Sequence, residues 1–378
     1  MPVIEHDYDD TLIRAEIDGA ELSPNDVRKL ELHLSAHEGD VITRTKVIGY
    51  YATIGWKTAS AAHRYAEHLS RMIDSRPDDS IHGFILAPLR TKAAMEKIKS
   101  HWLAQVRRHP INLKILDNAA GACQFTCSDD LTAEKLWKRA MKLDPLNEDF
   151  PRELSRIYEL GSIHGSLSVR KTNAKKAVRY LFKALMLHTK HPCESYLSVY
   201  KETAIEALAK RTLALRLVLE TRKLANALID LKPVKTSTIT PRGIRRWTMY
   251  TEARYKGNML LGKAAVLSGD FETAGQSLGN MSKSLFPPRP DWELAQNLLD
   301  QGEGKVVIRY LKACLRHSRA KGPSLDHLSS DSRSENAPSN KKTKKDSLAN
   351  FPATPEAQGE RFVQQIEAIR RGEKPKLG

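Results

Sequence analysis

The sequence predicts an all-α chain: a stack of helical hairpins followed by a disordered linker and a C-terminal amphipathic helix. Three observations carry this expectation. Apolar residues recur at intervals of three and four along most of the chain, as in Val306, Val307, Tyr310, Leu311, Cys314 and Leu315. No run of alternating β-branched residues between turns competes with that period. Small residues also fall twelve positions apart in three separate places.

Taken in chain order, residues 1–22 read as an acidic N-terminal arm, and residues 23–318 as the helical body. The first helix is expected to start at Ser23-Pro24-Asn25-Asp26, where Ser caps and Pro suits the first helical position. Thr240-Pro241 and Thr354-Pro355 repeat this cap-then-proline signal. Helices joined by short loops are expected throughout, with longer connections near 74–90 and 232–240. Gln301-Gly302-Glu303-Gly304 reads as a turn between helices, since no strand precedes it to make a phosphate loop. Residues 319–353 are rich in Ser, Lys, Asn and Pro with almost no periodic apolar residues, which predicts a disordered linker. In the closing segment 354–378, Phe362, Val363, Ile366 and Ile369 form one helical stripe. That stripe either covers the last hairpin or docks on a partner.

The offsets between small residues are specific. Gly121 precedes Ala133 by twelve, with Trp137 at +4, Ala140 at +7 and Pro145 at +12. Gly262 precedes Ala274 by twelve, followed by Leu278 at +4 and Met281 at +7. Gly49 and Ala61 repeat the offset, with Tyr65 and His68 behind them. Small residues on both helices let two backbones approach, the large residue fills the space between hairpins, and Pro ends the second helix. The anchors lie 72 and 141 residues apart, about two and four periods of the 34-residue tetratricopeptide repeat. Gly165 and Ala177 share the offset, but the Ser/Lys-rich stretch 166–173 reads as a loop, making this a hairpin with an insertion.

On these residues the chain resembles tetratricopeptide-repeat proteins. Within them it is similar to a bacterial group of undetermined function. The likeness lies in HWLAQVRRHPINLKILDNAAGACQFT (101–126) with the following AEKLWKRAMKLDP, in 257–281, in LAQNLLDQGEGKVVIRYLKACLR (294–316), and in the closing FVQQIEAIRRGEKPKLG. It departs from that group at LFPPRP (285–290). The resemblance implies a TPR-like α-solenoid whose first helices line a concave groove that holds a partner peptide or helix. It brings no catalytic residue and no ligand.

Charge sets the expected partners. The formal net charge is +16, with an acidic excess of −8 in residues 1–40 and a basic excess of +13 in residues 161–250. Within that block Lys175, Lys176, Arg179 and Lys183 share one helical face, preceded by Arg170 and Lys171. Lys210, Arg211, Arg216, Arg222, Lys223, Arg242, Arg245 and Arg246 follow. Such a face is either simply solvated, or binds an acidic protein, neutralises phosphates of nucleic acid, or lies on anionic lipid. Aromatic residues do not interleave with it and no nucleic-acid fold is evident, so a protein partner is the first expectation and RNA or DNA the alternative.

Chemistry finds no foothold in the sequence. Cys123 and Cys127 lie four apart without a second pair, and read as packed helix residues rather than metal ligands. His188, His191 and Cys193 form a tighter group, which reads as an ordinary helix end and turn, with a zinc site as the minor alternative. His33 and His37 read as surface residues on one helix face. No nucleophile elbow, phosphate loop or apolar carboxylate pair is present, so neither enzyme activity nor a cofactor is expected. No stretch reaches the roughly 18 apolar residues of a bilayer span. The acidic N-terminus lacks the apolar core of a signal peptide. Four cysteines make no secreted disulfide framework, so a cytoplasmic, reducing location is expected.

Overall fold

The computed structural model describes residues 10–55, 57–79, 89, 91–190, 196–231, 234–240, 243–249, 252–283, 290–320 and 355–377. Among these residues the fold is all-α apart from one β-hairpin, and the chain forms two compact units. The first comprises Met1–Gly165 with Lys175–Cys193, and the second Ser166–Ala174 with Glu194–Gly378.

In the first unit the helices are α1 (Asp10–Ala20), α2 (Pro24–Ala36), α3 (Val41–Ile54), α4 (Ala59–Ser75), α5 (Lys92–Arg108), α6 (Leu113–Gly121), α7 (Asp130–Leu143) and α8 (Asp149–Gly161). Their starts are written in the sequence. Ser23, Asp40, Thr58, Thr91, Asn112 and Asp129 each accept a hydrogen bond from a first-turn backbone N–H, which satisfies donors that the helix itself leaves open. Between α6 and α7 the chain makes a π-helical turn at Ala122–Thr126. Tyr65, Met72, Ile98, Trp102, Leu116, Trp137 and Leu154 belong to one continuous core. Each such side chain contributes about 1.5–3 kcal/mol on leaving water.

Three expectations change here. Ser23-Pro24 does cap a helix, but α1 precedes it, so residues 10–20 of the acidic segment are a packed helix. Gly49 does not serve the α3–α4 pair. A Cβ there would strike the Glu16 carbonyl on α1, and a Cβ at Gly19 would strike the Lys46 carbonyl on α3. The two glycines therefore permit a backbone-on-backbone crossing of α1 and α3. Thirdly, residues 167–173 are not a loop: α9 runs unbroken from Leu167 to Lys190. Gly165 instead takes φ +92° in the turn before it. The close approach of α8 to α9 falls at Ser155, whose Oγ donates to the Ala177 carbonyl at 2.9 Å. The first two turns of α9, through Ala174, belong to the second unit, and Lys175 onward to the first.

The second unit continues with α10 (Tyr196–Ala214), α11 (Val218–Ile229), α12 (Ala253–Leu267), α13 (Phe271–Met281), α14 (Trp292–Asp300), α15 (Gly304–Ala320) and α16 (Pro355–Arg370). The α12–α13 pair matches the sequence expectation. Ala274 and Leu278 are fully buried. A Cβ on Gly262 would lie 2.6 Å from Leu294 Cδ2 and 3.2 Å from Ser277 Cβ. Gly269 at φ +74° turns the chain, and Asp270 caps α13 through the Thr273 N–H at 3.1 Å. Gly302, φ +89°, makes the corresponding turn between α14 and α15. The buried Tyr310 hydroxyl ties three helices together, accepting from Asp291 N–H at 2.8 Å and lying 3.2 Å from the Tyr255 hydroxyl.

Residues 232–240 are not a plain connection, and Thr240-Pro241 does not start a helix. Strands β1 (Val234–Thr240) and β2 (Gly243–Met249) pair antiparallel, from Val234 opposite Met249 to Thr240 opposite Gly243. The β-branched residues Val234, Thr236, Thr238 and Thr240 alternate along β1, a period-two pattern masked by its polarity.

At the end of the chain, α16 lies on α15. Phe362, Ile366 and Ile369 join the core that holds Tyr310, Leu311 and Cys314, and Phe362 stacks on Trp292 at 5.3 Å. The tail returns to α14, where Leu377 N–H donates to Gln296 Oε1 at 2.7 Å. α15 extends to Ala320, and the rest of the expected linker, with Thr354, lies outside the described residues, as do 80–88 of the connection near 74–90.

Candidate interaction surfaces

The signature residues are structural. Gly121 ends α6, and Ala133, Trp137 and Ala140 are buried on α7, before the turn that Pro145 enters. Trp137 also makes a polar contact, its Nε1–H donating to Asp117 Oδ1 at 2.6 Å. Burial, reinforced by Glu153 and Asp149 on α8 and only partly offset by the Trp137 bond, pushes the Asp117 carboxyl up to about 6. Arg152 answers those carboxylates, 2.6 Å from Asp149 and 2.9 Å from Glu153.

The cations expected on one face of α9 are placed as the spacing implies. Ala177, Leu181, Ala184 and Leu187 are buried, while Lys175, Lys176 and Arg179 are exposed and Lys183, Arg170 and Lys171 half-buried. Lys176 Nζ sits 4.8 Å above the Tyr158 ring, whose hydroxyl donates to Glu134 at 2.6 Å. Among the described residues Lys175, Arg179 and Lys183 make no ion pair. The six cations are divided between the units, Arg170 and Lys171 in the second and the other four in the first.

The sulfur and imidazole groups take packing roles. Burial pushes the Cys123 and Cys127 thiols up to about 12, and Cys127 Sγ donates to the Met95 carbonyl at 3.4 Å. His188 Nδ1 lies 2.9 Å from the buried Glu148; His191 and Cys193 lie outside the described residues. His33 stacks on His37 at 4.3 Å and reaches Asp40 with Nε2 at 3.1 Å.

The second unit holds a surface that sequence reasoning missed. Helices α10, α12 and α14, each the first of its pair, line an open cavity of about 470 Å³. Leu213, Val266, Leu267 and Leu294 supply apolar wall, and Lys210, Arg216, Lys263, Glu293 and Asn297 supply polar groups. Ionic rungs fix the spacing of these helices. Lys256 on α12 reaches Glu202 and Glu206 on α10 at 3.0 and 2.9 Å. Lys263, also on α12, reaches Asp291 at 3.1 Å and Glu293 at 2.7 Å. Burial works against the Lys263 charge, but its bonds to Glu293 and Asp291 prevail and hold it above the ordinary lysine range. Lys210 leans on Glu206 at 2.6 Å, whereas exposed Arg216 makes no ion pair among the described residues. The wall residues come from three helices, with Leu213 and Val266 lying 53 residues apart and Leu267 and Leu294 lying 27 apart in sequence, so no local pattern announces them. The available signal was the outward-facing positions of consecutive first helices.

No protein-family model matches the chain, and no curated protein matches it. Among the described residues no helix is long and apolar enough to cross a membrane.

Proposed function

We propose that the protein is a non-enzymatic interaction scaffold of the tetratricopeptide-repeat type, which holds a peptide or helix of a partner protein in the groove of α10, α12 and α14. The observation that carries this is the convergence of three first helices on one cavity. First helices facing a common groove are what a stack of right-handed hairpins produces. A partner segment with a few apolar side chains flanked by carboxylates suits it: Leu213, Val266 and Leu267 take the former, Lys210 and Arg216 the latter. In this proposal the protein works in a bacterial cytoplasm, and the α9 cations add electrostatic steering toward an acidic partner.

The test is affinity capture with mass spectrometry, repeated with nuclease, comparing the native chain with a Leu213→Glu, Leu267→Glu variant. Proteins captured in both nuclease conditions are expected to be lost from the variant while its helical signal and melting curve stay native. Equal capture by the variant sinks the proposal.

A further inference from the structure

We propose that His68 is an acid-sensitive latch: when its imidazole takes a second proton, helix α2 lets go of α3 and α4. The geometry fixes the protonation state of the ring. His68 is 8% exposed and Arg44 only 3%. Arg44 Nη1 faces His68 Nδ1 at 3.5 Å, and a guanidinium has only donors, so Nδ1 accepts and carries no proton. The single ring proton then sits on Nε2, which donates to Glu31 Oε1 at 3.2 Å. A second proton has only Nδ1 to go to, where it sets donor against donor and cation against buried cation. Burial is the largest influence on the ring. With Arg44 it outweighs the Glu31 bond and Glu67, and holds His68 below the ordinary histidine value of 6.5.

The same network fastens α2. Its apolar contact is small, Val27 and Leu34 meeting Val47 of α3, and the other ties are polar. Glu31 also accepts from the Tyr51 hydroxyl at 3.0 Å, and the Tyr51 ring stacks on His68 at 6.1 Å. In the turn after α2, Glu38 offers its carbonyl to Arg44 at 2.6 Å and its carboxylate to Arg71 at 2.7 Å. Arg64 of α4 stands 4.0 Å from Glu31, and both it and Arg71 pair with Glu67. From α5, His101 is engaged by Asp74 at 2.8 Å. A doubly protonated His68 gains attraction from Glu31 but drives away the Arg44 guanidinium, which reaches water by giving up the Glu38 carbonyl. Helices α1 and α3 stay joined by their backbone crossing at Gly19 and Gly49. Residues 21–40 therefore open as a local unit between two fixed ends, uncovering Val47 and Tyr50.

The test is hydrogen exchange of the full chain, read by mass spectrometry between about pH 7 and about pH 5.5 and corrected for the pH dependence of chemical exchange. The open form takes up the proton first, so closure is complete above about 6.5 and is lost as pH falls below it. Exchange in 21–40 should therefore rise about fivefold to tenfold, while α6 and α7 keep their protection. His68→Gln offers Arg44 an oxygen and Glu31 an N–H but takes no proton, and should abolish the rise. His33→Gln should not, because His33 is exposed and lies on Asp40 at 3.1 Å. Imidazole nitrogen NMR of the native chain gives a reading independent of any variant: His68 in the Nε2–H form, titrating below 6.5. A flat profile in 21–40, an equal rise in His68→Gln, or a ring in the Nδ1–H form would overturn the proposal. So would an equal loss of protection in α6 and α7, which would make the acid response global.

Discussion

Trp137 hydrogen-bonds Asp117 across α6 and α7, its indole N–H only 2.6 Å from a carboxyl whose burial pushes it up to about 6. A carboxyl raised above its unfolded value of 3.8 favours folding fully only below that value, and the contribution is lost as pH rises through the folded value. Asp117→Asn keeps an oxygen for Trp137 and carries no charge. It should stabilise the protein at pH 7 by about 1–2 kcal/mol. The gain should shrink as pH falls from about 6 toward about 4. Urea melts across that range check it: a gain independent of pH would place the effect elsewhere.

Glycines on helices divide into those with something in front of them and those without. Gly49→Ala should drive a methyl into the Glu16 carbonyl and cost about 1–3 kcal/mol. Gly279→Ala meets nothing within 4 Å, and should gain up to about 1 kcal/mol from helix propensity alone. Paired thermal melts decide, and a neutral Gly49→Ala would mean that α1 and α3 do not cross backbone on backbone.

Phe362 holds α16 in place. It is 2% exposed and stacked on Trp292, so Phe362→Ala should cost about 3 kcal/mol. Loosening of α16 also changes the surroundings of Trp292, read as a shift in tryptophan emission. Native emission together with native stability would remove the helix from the core.

Burial that raises the thiols of Cys123, Cys127 and Cys314 to about 12 leaves almost no thiolate at neutral pH. In a Cys193→Ser background the folded protein should react with an aromatic disulfide reagent orders of magnitude more slowly than in urea. A fast native phase would contradict this packing.

Lys175, Lys176 and Arg179 are exposed, so reversing all three to Glu should change stability by no more than about 1 kcal/mol. If the α9 face steers a partner, capture should weaken and become less sensitive to salt. Capture unchanged at low salt would confine recognition to the groove.

What the sequence announced, it announced locally. Ser23-Pro24, the turn at Gln301-Gly302-Glu303-Gly304 and the Gly262–Ala274–Leu278 spacing are all resolved within one or two helices, and each appears where its own chemistry puts it. The misreadings share a cause: the deciding partner is distant or the pattern is polar. Gly49 carried the right offset from Ala61, yet its smallness serves Glu16, which no repeat spacing includes. Residues 167–173 looked like loop because serine and lysine also solubilise a helix whose apolar contacts begin at Ala174. β1 alternates threonine rather than valine, so its period carried no hydrophobic signal. The groove was hidden most deeply, since Lys210, Lys263 and Asn297 become neighbours only once three helices align.

The docking of α16 on α15 changes what the intervening stretch 321–354 is in chain topology. It leaves one packed helix at Ala320 and rejoins its neighbour at Pro355, so it is a closed loop rather than a tail. Closing a loop costs little more as it lengthens, so insertions here should be cheap. A single cut would leave α16 seated by its own contacts but would end the high effective concentration that the covalent loop confers. The affinity of α16 for its seat, hidden in the intact chain, would then become a measurable bimolecular constant.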